Sequence, residues 1–194
     1  MKSRTTSSLS ARLAGFGILL FSLVMPALTH IGHAAPAPGG GPPPGMGPTC
    51  PPACPANPAN CDANLVITQT QPLQFGLMSA PIAGTAVVDT AGLRTSTGGV
   101  TLVTGGTVSA ASFSMNTGPY NCAGRALATV TVTSPALLTG SGPDMTLDTF
   151  VTSLVAGDAF DPTIPLIVGG TLHVGTLQTT GNYTGNILIT VTFQ

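Results

Sequence analysis

The sequence is short of charged residues, which make up only 6% of its 194 positions. It contains no Trp and no Glu, and its single lysine is Lys2. Beyond Arg12 the chain carries two cations, Arg94 and Arg125, against six aspartates. Binding to a phosphate backbone or to an anionic membrane surface depends on several clustered Lys or Arg side chains. The composition therefore excludes nucleic acid as a partner and argues against a polybasic membrane-binding patch.

The N-terminal residues have the composition of an export signal. Lys2, Arg4 and Arg12 form a positive region, and an apolar run of 16 residues follows at 13–28. Small residues then stand at the −3 and −1 positions of a cut after Ala34. A membrane-spanning helix needs about 20 apolar residues, and no later segment is long and apolar enough. We predict a cleaved signal peptide over 1–34, no membrane span after cleavage, and a mature chain in the periplasm, at the cell surface or outside the cell.

Residues 35–61 are rich in proline and glycine. The stretch 35–45 reads APAPGGGPPPG and has no apolar periodicity. Such a segment cannot bury enough apolar surface to offset the entropy lost on ordering, and its prolines favour an extended polyproline II conformation. We predict a disordered Pro/Gly-rich spacer over 35–61.

From residue 62 to residue 194 the pattern changes to short runs of Val, Ile, Thr and Phe separated by Gly, Pro, Asn and Asp. Alternation is clearest at 129–133, which reads TVTVT, and at 187–193, which reads ILITVTF. The predicted strands are 64–69, 73–77, 85–89, 100–104, 108–115, 126–133, 145–154, 166–174 and 186–193. Short strands at regular spacing are typical of a sandwich of antiparallel sheets. We predict an all-β domain over 62–194 with almost no helix.

Four cysteines follow the apolar run, at Cys50, Cys54, Cys61 and Cys122. An even number in an exported chain favours disulfides, and four cysteines allow three pairings. The favoured pairing is Cys50–Cys54 within the spacer and Cys61–Cys122 across the domain, the second contributing roughly 2–4 kcal/mol. Zinc is the rival interpretation, but no second pair of ligands with matching spacing follows.

Candidate catalytic groups each fit a simpler interpretation. His173 is the only histidine beyond residue 34 and lies in a strand-like run, with no nucleophile elbow in the sequence. Asp158 and Asp161 are typical of a turn in which the carboxylates bond nearby backbone, although a calcium site there is an alternative. Gly169 and Gly170 open no helix, so they do not form a phosphate-binding loop. We predict no enzyme, no catalytic or metal site and no cofactor.

Three phrases carry a family resemblance: LQFG at 73–76, AASF at 110–113, and the closing run from VGGTLHV at 168–174 through GNYTG at 181–185. Over 64–194 the chain resembles the DUF4402 family of exported bacterial proteins. The resemblance implies an immunoglobulin-like or pilin-like antiparallel β-sandwich, akin to spore-coat-U-type domains. It implies no activity, because the function of the family is poorly defined.

The pilin likeness implies a mode of assembly. Fimbrial subunits end in an alternating apolar strand with a penultimate aromatic residue, and Ile187, Ile189, Val191 and Phe193 have this form. Such subunits accept a strand from a neighbour, and the candidate donor face is Ala63, Leu65 and Ile67. The implied partners are copies of the chain and a periplasmic chaperone.

Two interpretations of function follow. The first is a surface, fimbrial or coat-like subunit that assembles by β-strand complementation. The alternative is a self-contained secreted module that binds carbohydrate or a partner protein through its loops. Pairing of 64–69 with a strand of the same chain favours the alternative.

Overall fold

The structure is a computed structural model that describes residues 19–20 and 58–194. It has one helix, α1 (Pro58–Asn64), which begins inside the segment predicted as spacer. The strands are β1 (Leu19–Leu20), β2 (Val66–Gln71), β3 (Gln74–Phe75), β4 (Leu77–Ser79), β5 (Gly84–Val88), β6 (Arg94–Gly98), β7 (Thr101–Leu102), β8 (Val108–Ser109), β9 (Ala111–Asn116), β10 (Leu127–Val132), β11 (Ala136–Gly140), β12 (Met145–Thr152), β13 (Leu166–Val174), β14 (Tyr183–Thr184) and β15 (Ile189–Phe193). Within the described part of the chain, no helix is long and apolar enough to cross a membrane.

The prediction of an all-β fold is confirmed, and every predicted strand overlaps an observed one. The predicted strands omit β1, which lies in the predicted signal peptide, and also β6, β11 and β14. β6 reads RTSTG and has no large apolar residue. It is a strand because it forms a hairpin with β5. In the turn of this hairpin, the Asp89 carboxylate accepts hydrogen bonds from the N–H groups of Ala91 and Leu93. The predicted strand 73–77 is interrupted at Gly76, which has a φ of +66°.

The largest sheet is antiparallel, in the order β14-β11-β12-β13-β5-β6. Its longest strand, β13, pairs with β12 along one side and with two strands along the other. Residues 166–168 of β13 pair with β9, and residues 170–174 pair with β5. Gly169 lies where β5 and β9 diverge, and a Cβ there would come within 2.4 Å of the Val88 carbonyl oxygen. The sheet can fork at this point because β13 has no side chain there.

The second layer consists of smaller sheets: β10–β15, β3–β8 and β1–β4–β7. In the last of these, Leu19 and Leu20 pair with Met78 and Leu77. Both leucines lie within the predicted signal peptide, so a chain cut after Ala34 keeps only β4 and β7 of this sheet. Buried residues of the large sheet, such as Leu147 and Leu172, belong to the same hydrophobic cluster as residues of the small sheets. The sheets therefore enclose one core in a sandwich-like arrangement.

Arg94 links the two layers. Its guanidinium Nη1 donates to the carbonyl oxygens of Phe75 and Leu77 at 2.6 and 2.9 Å, and Nη2 donates to the carbonyl of Val103 at 3.1 Å. Burial lowers the pKa of Arg94 from its ordinary value. A Cβ at Gly76 would lie 2.8 Å from Nη1, so the glycine leaves space for the guanidinium. In the LQFG phrase the backbone therefore bends at Gly76, and Arg94 hydrogen-bonds the carbonyl groups of the residues on either side of it.

The structure pairs Cys61 with Cys122, with their Cα atoms 6.0 Å apart, as the sequence predicted. Cys61 lies on α1 and Cys122 in the loop between β9 and β10, and both are fully or almost fully buried. The bond fixes α1 against the domain. The other predicted pair, Cys50–Cys54, lies outside the described residues, as does the signal peptide apart from β1.

Candidate functional site

Strand β15 contains three of the four residues that the sequence singled out for assembly, and it pairs with β10 in the same chain. In an antiparallel pair the N–H and C=O of one residue point to the same side, and successive residues alternate. The Gln194 N–H donates to the Ala126 carbonyl at 3.0 Å, and the Leu188 carbonyl accepts from Thr133 at 2.8 Å. Even-numbered residues of this segment therefore face β10 with their backbone groups, and odd-numbered residues face the opposite edge.

The opposite edge of β15 has no strand beside it among residues 19–20 and 58–194. The backbone groups of Ile189, Val191 and Phe193 point toward this edge. At its far end the Phe193 N–H donates to the Asp62 carboxylate of α1, with a nitrogen–oxygen distance of 2.8 Å. Among the described residues, the backbone groups of Ile189 and Val191 form no hydrogen bond on this side, although α1 packs against β15. We call this the outer edge of β15.

The side chains of residues 187, 189, 191 and 193 become more exposed with increasing distance from Phe193. Phe193 and Val191 are buried, and the Phe193 ring meets Phe160 edge to face with 5.1 Å between centroids. Ile189 and Ile187 are only partly buried against the core. The penultimate aromatic therefore completes the core of its own domain, while the two isoleucines keep apolar surface at the open end.

The predicted donor segment is part of the same chain's large sheet. Ile67 pairs with Met115, and β2 as a whole runs antiparallel to β9. Leu65 is buried in the core, whereas Ala63 is exposed on α1. Of the predicted donor face, Ala63 lies on α1, Ile67 on β2 and Leu65 between them, and β2 pairs within its own chain. To insert into a groove of another copy, as a fimbrial donor strand does, β2 would have to leave β9.

His173 and Asp148 form a polar pair on the outer face of the large sheet, where β12 and β13 pair. The Nε2 atom of His173 lies 2.9 Å from Oδ1 of Asp148, which also accepts from the Thr149 hydroxyl at 2.9 Å. The hydrogen bond with His173 is the main cause that lowers the pKa of Asp148 below its ordinary value. Thr149 has a φ of +47° at an irregularity in the β12–β13 register. Both members of the pair are partly exposed.

The chemistry open to this pair is limited. Asp148 is the only side chain in the described part of the chain that hydrogen-bonds the His173 ring, so no hydroxyl nucleophile is aligned with it. An open depression of about 420 Å³ lies beside the ring and includes Thr85, Asp144 and Thr146. Among the described residues, His, Cys, Asp and Glu form no group of three able to hold a metal. Hydroxyls, a carboxylate and an imidazole around a shallow depression suit hydrogen bonding to a polar ligand.

The other aspartates examined in the sequence support turns. The Asp161 carboxylate accepts the N–H and hydroxyl of Thr163, at 2.8 and 2.7 Å, and these bonds lower the pKa of Asp161. The Asp158 carboxylate accepts the Val155 N–H at 2.8 Å. The predicted turn around Asp158 and Asp161 is confirmed.

The GNYTG phrase is explained by packing. Tyr183 is fully buried, and its hydroxyl donates to the Thr179 carbonyl at 2.9 Å and accepts from Gln178 at 3.0 Å. A Cβ at Gly140 would lie 2.6 Å from the ring, so glycine is required beside it. Tyr183 of this phrase therefore serves the packing of the fold.

Sequence reasoning missed Asp62, which closes one end of the outer edge. It lies 131 positions from Phe193, and a single aspartate in an uncharged segment has no local pattern that reveals a long-range partner. Its neighbour Cys61 was the available signal, because the predicted disulfide already placed this segment near residue 122.

The family model described as "Domain of unknown function (DUF4402)" matches residues 65–193. No curated protein and no solved structure matches the chain. The matched range contains the forked strand β13, the buried Tyr183 and the outer edge of β15, so these features lie within the region that defines the match. The chain belongs to the DUF4402 family.

Proposed function

We propose that this chain is a non-enzymatic, exported structural subunit that assembles with further copies by adding a strand at the outer edge of β15. The observation that carries the proposal is the one-sided pairing of β15 with β10. It leaves the backbone groups of Ile189 and Val191 directed away from β10. Strand addition satisfies such groups through main-chain hydrogen bonds, and alternate side chains provide specificity.

The absence of protective residues from the edge segment itself supports the proposal. Natural sheets discourage edge-to-edge pairing with lysine, proline, inward charges or covering segments. Residues 186–194 contain no charged residue and no proline. The segment itself therefore carries none of the protective residues, and the covering element is α1, which packs against β15 and bonds its Phe193 end through Asp62.

A second copy of the chain is the proposed occupant. β2 is six residues long, has no charge and no proline, and pairs on one side only among the described residues. One copy therefore offers the kind of edge that another can accept, without any strand leaving its own sheet. Contact between two different edges is heterologous and generates open chains unless the rotation closes a ring. A scarcity of surface charge also leaves little repulsion between copies.

Export is part of the proposal. The Cys61–Cys122 disulfide requires an oxidising compartment in most organisms. The predicted signal peptide at residues 1–34 would deliver the chain to such a compartment.

The test is a proline scan of the outer edge. Ile189→Pro removes an N–H that faces away from β10, so the β10–β15 hydrogen bonds remain. Ile189→Ala is the matched control, because it loses the same side chain but keeps the N–H. The exported chain and both variants are measured by light scattering on a sizing column at rising concentration, with circular dichroism to verify folding.

We expect the unaltered chain and Ile189→Ala to associate as concentration rises, and folded Ile189→Pro to stay monomeric. A chain that remains monomeric at every concentration overturns the proposal. So does an Ile189→Pro variant that associates as readily as Ile189→Ala.

The pairing of β2 within its own chain favours a second candidate, a self-contained binding module. The depression beside His173 is then the place where a polar ligand such as a carbohydrate would bind. This candidate predicts a monomer that binds soluble polysaccharide and loses that binding in His173→Ala but not in Ile189→Pro. A monomer that binds no polysaccharide tested, or one whose binding survives His173→Ala, counts against it.

A further inference from the structure

We infer that Asp62 acts as a strand stop, which fixes where a strand added to β15 must end. The inference rests on the proposed assembly and deepens it by defining the segment that the outer edge can accept. Its basis is the hydrogen bond from the Phe193 N–H to the Asp62 carboxylate.

The carboxylate occupies the position that a carbonyl of an added strand would need. A nitrogen–oxygen distance of 2.8 Å is that of a good hydrogen bond, and bonds to an ionised acceptor are stronger than those to a neutral carbonyl. A strand pairing along the whole of β15 would have to displace this oxygen and bring its own carbonyl close to a negative charge. Pairing with Val191 and Ile189 meets no such obstacle.

Asp62 is held in place by its neighbour in sequence. Cys61 is bonded to Cys122 and is fully buried, so α1 cannot readily swing away from β15. The Leu65 side chain, one residue beyond α1, is also buried. The segment that carries Asp62 is therefore fixed to the core on both sides, by Cys61 and by Leu65.

These limits define the segment that the outer edge of β15 can accept. It is extended and uncharged, it has residues other than proline opposite Ile189 and Val191, and it ends or turns before Phe193. A ladder built on two residues of β15 contains few hydrogen bonds, and each contributes little net free energy because it replaces a bond to water. Association through the outer edge is therefore reversible on dilution.

The experiment measures amide hydrogen exchange at single residues in the exported chain, as monomer and as assembly. Asp62→Ala removes the acceptor, and Asp62→Asn keeps a side-chain oxygen in the same place as a matched control. In the unaltered chain and in Asp62→Asn, we expect Ile189 and Val191 to slow by at least about tenfold on assembly. The Phe193 amide should already be protected in the monomer and should change little.

In Asp62→Ala we expect the Phe193 amide to exchange rapidly in the monomer and to become protected on assembly, because the ladder can now extend past it. A purely structural role for Asp62 would leave Phe193 unprotected in that assembly, and this result overturns the inference. If Asp62→Ala does not fold, exchange of the Phe193 amide in the unaltered chain provides the test. A gain of about tenfold or more at Phe193 on assembly shows that the strand passes Asp62 and overturns the inference.

The same data separate the two proposals. If Ile189 and Val191 gain no protection in any assembled form, strand addition at β15 is wrong and the strand stop is wrong with it. If they gain protection while Phe193 in Asp62→Ala does not, strand addition stands and only the strand stop is wrong.

Discussion

Strands β13 and β15 have similar alternating patterns but very different surroundings. β13 lies inside the large sheet, where β12 pairs with one side and β9 and β5 share the other. β15 lies in the small layer, where only β10 pairs with it among the described residues. An interior strand contributes to the stability of the fold because all its backbone groups are used within the chain. A strand paired on one side keeps backbone groups that can serve a second molecule, so in the proposed assembly stability rests on interior strands and association on edge strands.

The largest expected effect comes from the bond that ties the small layer's helix to the domain. Replacing Cys61 and Cys122 together with alanine should lower the free energy of unfolding by about 4 kcal/mol, because the bond closes a long loop in the unfolded chain. Denaturant titration measures the loss. Replacing Cys50 and Cys54 is the control, since a bond between them would close a much shorter loop. Equal losses in the two double variants would contradict the role assigned to α1.

A substitution at the fork of the large sheet should rank next. Gly169→Ala should cost about 3 kcal/mol, because its Cβ meets the backbone oxygen of Val88, which cannot move aside. Gly170→Ala is the neighbouring control and should cost about 1 kcal/mol, because it meets only the side chains of Leu147 and Phe150. Thermal and chemical unfolding provide the comparison. The division between interior and edge strands is contradicted if folded Gly169→Ala also loses the ability to associate.

Replacing Arg94, which links the two layers, should have an intermediate effect on the free energy of unfolding. Arg94→Met leaves three backbone carbonyls without their donor, and we expect a loss of about 2 kcal/mol in the free energy of unfolding. Arg94→Lys should recover only part of this, because a single ammonium group cannot reproduce the fork of the guanidinium. Full recovery by lysine in denaturant titration would show that charge alone, and not the geometry of the guanidinium, is required.

The smallest effect belongs to the exposed pair on the large sheet. Asp148→Asn should reduce stability by less than about 1 kcal/mol at neutral pH, since exposed pairs contribute little. The pKa of Asp148 is lowered in the folded state, so its stabilising contribution is present above the ordinary carboxyl pKa and is lost as pH falls through the lowered pKa. Melting temperatures of the two proteins should therefore converge in acid. A difference that widens in acid would contradict this assignment.

The sequence specified the fold class because strands buried on one face alternate, as β13 does over the predicted range 166–174. It also identified Cys61–Cys122, since exported cysteines pair. It could not identify β6, whose residues are polar and which exists only through its partner β5. It could not decide whether β2 pairs within its own chain, because an alternating strand has the same pattern whichever molecule it joins. The Asp62–Phe193 contact required the fold itself.

The attachment of both arginines to backbone carbonyls bears on digestion of the domain by proteases. Enzymes with trypsin-like specificity cut after Lys or Arg, and the sequence from residue 58 onward offers only Arg94 and Arg125. The first is partly buried and bonded to three carbonyls, and the second donates to the Gln194 carbonyl at 2.7 Å. Cleavage requires a segment that can unfold locally into the protease. Once folded, this domain should survive exposure to such enzymes far longer than a lysine-rich domain of equal stability.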